Sequence, residues 1–113
     1  MRPIVSLPKV GPYRNQALLD LAQLAPYCMN PACRTQQHGQ VVACHSNHLR
    51  HGKGRGIKAH DLPAFLCDHC HDLLDGRAGN LTPSEKDALF FEAFYETWAW
   101  IALNGYLAME KSA

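Results

Sequence analysis

Apolar side chains recur at helical spacing in two stretches of this 113-residue chain, and the interval between them is largely polar. From Arg14 to Ala25, the residues Leu18, Leu21, Ala22 and Ala25 fall on one face of a short helix that Pro26 would end. Thr82-Pro83-Ser84-Glu85 is a capping box with proline at the first helical position. It predicts a long helix over 82–104, closed by Asn104-Gly105. Leu89, Phe90, Phe94, Trp98 and Ile101 share a broad face of that helix, which predicts a core contact and packing against the N-terminal helix. Phe91, Tyr95 and Trp100 lie off the face, an aromatic surplus that a second copy of the chain would cover in a homodimer.

Between the helices the period changes. Gln40-Val41-Val42-Ala43-Cys44-His45 reads as a strand, the second of a hairpin turned at His38-Gly39. A polar loop then runs to Asp61, with glycine at 52, 54 and 56 and only Leu49 and Ile57 as aliphatic bulk. Loops of this length in small domains are usually functional. Pro63-Ala64-Phe65-Leu66 leads into Cys67, which opens a short helix that Gly76 would stop. The whole predicts one small α+β domain: an N-terminal arm and helix (1–25), a central unit (26–77), a C-terminal helix (82–104) and a tail (105–113).

So little apolar bulk in the middle asks for another source of order, and the cysteines supply a candidate. Cys28 and Cys33 flank the turn residues Asn30-Pro31, and Cys67 and Cys70 form a second close pair. Two such knuckles bring four thiolates around one tetrahedral zinc. The competing reading is four free cysteines buried as small hydrophobes, which the paired spacing disfavours. Five cysteines is an odd count, and a chain without an export signal at Met1-Arg2-Pro3 or a membrane span is expected in the cytoplasm, where thiols stay reduced.

The formal net charge of +1 does not announce a nucleic-acid partner, but local charge changes the picture. Arg50, Lys53, Arg55 and Lys58 lie in one segment without an acid, interleaved with glycines that let backbone approach a phosphate chain. Six of the seven histidines fall between His45 and His71. His71 directly follows the last cysteine of the second pair, so a zinc there would fix where it points. Asp75, four residues on, shares its helical face, the spacing at which one helix offers two ligands to one metal. A histidine with a carboxylate suits Mg²⁺, Mn²⁺ or another divalent ion with open positions for water and phosphate. His45 ends the strand and His48 competes with it for the role of base. His38, His51, His60 and His69 read as bystanders.

Taken together, Val42-Ala43-Cys44-His45-Ser46-Asn47, Gly52 to Lys58 with Asp61, and Leu66-Cys67-Asp68-His69-Cys70-His71 with Leu74-Asp75 resemble the HNH, or His-Me finger, nucleases, including small prophage-encoded members. The resemblance covers roughly 25–77. It implies a zinc-stapled ββα-metal unit and hydrolysis of DNA, with His45 as general base, His71 as a ligand of the catalytic metal with Asp75 beside it, and Asp61 orienting the base. Asp61 stands near where the family's central Asn lies, and Cys44 where many members carry an acidic or His ligand. Two other functions fit the same residues: a non-catalytic zinc module that binds DNA or a protein, and a thiol-based sensor using Cys44.

Overall fold

Asn15 starts the first helix by accepting the N–H of Leu18 on its side chain. In the computed structural model, which describes residues 12–34, 40–54 and 56–107, that helix (α1, Gln16–Asp20) tightens into a 3₁₀ turn, Leu21–Leu24, before Pro26. Strand β1 (Val41–Cys44) and strand β2 (Ala64–Cys67) follow, then α2 (Asp68–Asp75) and α3 (Pro83–Leu103). The predicted helices therefore form where the caps place them. Thr82 and Glu85 exchange both hydrogen bonds of the capping box, and Gly76 ends α2 with φ +76°, a left-handed value that favours glycine.

Among the described residues β1 pairs antiparallel with β2, Val41 opposite Cys67 and Cys44 opposite Ala64, a partner beyond the polar loop that the sequence reading did not foresee. The His38-Gly39 turn lies outside the described residues. β2 is buried along its whole length because α3 covers it, whereas β1 is half-buried against the Leu21–Leu24 turn. The N-terminal helical segment thus packs mainly on β1, not on the last helix as predicted.

The face of α3 that reaches the core is Phe90, Ala93, Thr97 and Ile101. Small residues at its centre let the helix approach β2 closely enough for Thr97 Oγ1 to accept the Phe65 N–H at 2.9 Å, while donating to the Ala93 carbonyl at 2.7 Å. Phe65 O accepts the Met29 N–H at 2.9 Å, so both outward polar groups of this β2 residue are satisfied. Trp100, expected in the exposed surplus, instead packs edge-to-face on Phe65. Phe91 and Tyr95 are exposed, at 40% and 72%. No helix among the described residues is long and apolar enough to cross a membrane.

Candidate active site

The four predicted cysteines converge. Asn30 builds the first knuckle: its carbonyl accepts the Cys33 and Arg34 N–H groups, and its side chain accepts Ala32 N–H and donates toward Cys70 Sγ at 3.5 Å. Cys67 caps α2 and Cys70 lies in its first turn. All four Sγ atoms lie within 4.8 Å of one another, Cys33 and Cys67 at 3.9 Å. Sulfurs at the corners of a tetrahedron around zinc, each ~2.3 Å from the ion, are about 3.8 Å apart. The cluster is therefore compatible with a structural zinc. Its electrostatics agree: a hydrogen bond from Cys70 holds the Cys28 thiol down to about 5 against its burial, while Cys70, the donor of that bond, is pushed up.

His45 leaves the end of β1, as predicted, and its Nε2 lies 2.8 Å from Asp61 Oδ1. Asp61 is buried, with only 3% of its surface exposed. Burial would raise its carboxyl, but the His45 hydrogen bond, the Asn15 N–H at 2.7 Å and the Arg14 guanidinium at 3.4 Å together hold it below the ordinary aspartate value. Arg14 also clasps the Ala59 and Lys58 carbonyls at 2.6 and 2.7 Å. The start of α1 thus pins the far end of the polar loop, and with it the partner of His45. Sequence reading missed Arg14 and Asn15 because their connection to Asp61 spans more than forty residues.

His71 and Asp75 project from α2 and lie 3.0 Å apart, Nε2 to Oδ2; Arg77 reaches the same carboxylate oxygen at 3.1 Å. The two residues line one open groove of about 870 Å³ with His45, Lys53 and Lys58. Lys86, from the first turns of α3, lines it as well and was not foreseen. Among the described residues none of the three lysines has an acidic partner within ion-pair distance. Arg50 is exposed and outside the groove lining, and Arg55 lies outside the described residues. The four cysteines are the one group of three or more close metal-ligating side chains found among the described residues, so an ion at His71 and Asp75 would take its other ligands from water and phosphate.

The remaining candidates are placed elsewhere. His48 Nε2 donates to Asp87 Oδ1 on α3, 2.7 Å away, and its ring stacks beside Phe91, away from the large groove. His51 Nδ1 meets Ser46 Oγ at 2.5 Å, and His60 Nδ1 accepts the Tyr13 N–H at 2.9 Å. Cys44 is 1% exposed, and burial together with the nearby Asp75 carboxylate pushes its thiol up, the environment of an unreactive core cysteine. Compared with family models, curated proteins and solved structures, the chain gives no match in any of the three.

Proposed function

We propose that this chain is a metal-dependent endonuclease that hydrolyses DNA phosphodiester bonds, with His45 as general base and one divalent ion, Mg²⁺ or Mn²⁺, held by His71 and Asp75. The observation that carries this reading is one groove into which a carboxylate-held histidine, a His–carboxylate pair and three lysines all converge. Asp61, kept ionised, accepts the Nε2–H of His45, which leaves the imidazole lone pair on Nδ1. Nδ1 takes a proton from water as the water oxygen bonds to phosphorus and the bond from phosphorus to the leaving oxygen breaks; that oxygen takes its proton from solvent. A bound Mg²⁺ or Mn²⁺ supplies charge stabilisation at the phosphate oxygens. Lys53, Lys58 and Lys86 neutralise the flanking phosphates. Zinc on Cys67 and Cys70 would fix the first turn of α2, one residue before His71, and so aim the metal-binding side chains.

The test is nicking of supercoiled plasmid with Mg²⁺ or Mn²⁺. Wild-type protein is expected to nick, and His45→Ala to lose nicking while keeping its zinc content and circular dichroism. Absence of wild-type cleavage with either ion, or full activity in His45→Ala, refutes the proposal. One observation favours the second reading, a DNA-binding zinc module without catalysis: His71 and Asp75 already bond to each other and Asp75 to Arg77. Such a module would retard DNA yet leave the plasmid intact.

A further inference from the structure

A second, smaller cavity of about 210 Å³ opens between the loop after β1 and the first turns of α3. It joins the large groove, because His45, Asn47, Leu74 and Lys86 line both. We propose that it is a nucleobase subsite, taking one unpaired base that carries an exocyclic amino group, next to the phosphate held at His45. The proposal rests on the nuclease reading only for where the phosphate lies.

The chemistry of the lining supports a base rather than another phosphate. Leu74, Pro83 and Phe90 give it apolar walls, as a planar ring requires, and the volume is below the ~300 Å³ at which sites for larger ligands begin. Asp87 enters from α3. Its Oδ1 is bonded to His48 Nε2 at 2.7 Å, which fixes the carboxylate and leaves the other oxygen to accept. His48 is itself braced, its backbone N–H bonding Ser46 Oγ at 3.1 Å and its ring stacking beside Phe91. A fixed carboxylate oxygen at an apolar slot accepts from an amino group such as cytosine N4, and thymine offers none. Asn47 adds an amide with one donor and one acceptor function, and among the described residues its side chain makes no hydrogen bond. A base can reach such a slot only out of a duplex, so the substrate would be single-stranded or locally opened DNA.

The experiment is fluorescence anisotropy of the zinc-loaded full chain without Mg²⁺ or Mn²⁺, so that binding is read apart from cleavage. The probes are three labelled oligothymidines whose central position is dC, dT or an abasic site. Wild-type protein should bind the dC strand about fivefold or more tighter than the other two. Asp87→Asn should bring the dC/dT ratio to near one. Asn47→Ala, further from the helix, gives the same readout if Asp87→Asn disturbs folding. Equal wild-type affinity for all three strands overturns the subsite, as does a preference that survives both variants. Plasmid nicking measured separately tells that failure from failure of the nuclease reading.

Discussion

Replacing Asp61 with asparagine removes one negative charge from a buried position on which three donors converge: His45 Nε2 at 2.8 Å, Asn15 N at 2.7 Å and Arg14 Nη1 at 3.4 Å. The new amide keeps the size of the side chain and can still accept from Asn15. Because His45 and Arg14 both reach Oδ1 and Asn15 reaches Oδ2, its NH₂ group must then face both the Nε2–H of His45 and the Arg14 guanidinium, donor against donor. A hydrogen bond to a charged acceptor contributes about 1.5–3 kcal/mol, and the Arg14 share is smaller because its side chain is 46% exposed. The expected cost is about 2–4 kcal/mol. With a urea slope of about 2 kcal/mol/M, the middle of the usual range for small proteins, the unfolding midpoint of the zinc-loaded variant falls by roughly 1–2 M.

The pH dependence of that difference follows from the depressed folded carboxyl. A group whose folded value lies below its unfolded value of 3.8 contributes its full stability above the unfolded value and loses it as pH falls through the folded one. Between pH 5 and 8 the titration of Asp61 itself should therefore add no pH dependence to the gap between wild type and Asp61→Asn. Nicking should fall on the order of 10²-fold or more, since His45 loses the acceptor that selects its tautomer. A midpoint change under about 0.3 M would refute the picture of an ionised, three-donor Asp61.

Four other outcomes are expected. One zinc per chain should be measured by elemental analysis, and Cys28→Ser or a strong chelator should abolish cooperative unfolding, because zinc binding of ~10–16 kcal/mol is comparable to a small domain's entire stability. Native zinc-loaded protein should show no fast-reacting thiol, Cys44 being shut in the core; a single rapid thiol assigned to Cys44 by mass spectrometry would contradict its placement. Lys53→Ala, Lys58→Ala and Lys86→Ala should each lower the slope of log binding constant against log salt by about 1, whereas a residue outside the groove should not. Thr97→Val, which leaves the buried Phe65 N–H without its acceptor, should destabilise by about 1–3 kcal/mol in the same urea assay.

What could be read in the sequence was what local chemistry decides. The capping box at Thr82, the glycine after α2 and the Asn30-Pro31 turn each act within a few residues, and each forms where spacing placed it. The cysteine pairs were legible for the same reason, two local knuckles whose meeting the shared chemistry of sulfur makes predictable. The pairing of β1 with β2 was not: a strand at Val41–Cys44 carries no mark of which later segment it meets, and the two strands join across the whole polar loop. The large apolar face of α3 was legible, Phe90 and Ile101 being buried and Leu89, Phe94 and Trp98 packed against the core, but its small centre was missed because large side chains dominate any apolar count, while close approach to β2 needs Ala93 and Thr97. The polar loop shows how far this goes. Its glycines and cations are visible in sequence, yet what holds His45 against Asp61 is Arg14, bonded to the Lys58 and Ala59 carbonyls from an element that no periodicity connects to it. Charge pairing across such separations has no sequence signature, so the residues that hold His45 in place are harder to find than His45 itself. On the nuclease proposal, Arg14→Ala accordingly should loosen the loop and weaken nicking, although Arg14 is not among the residues lining the groove.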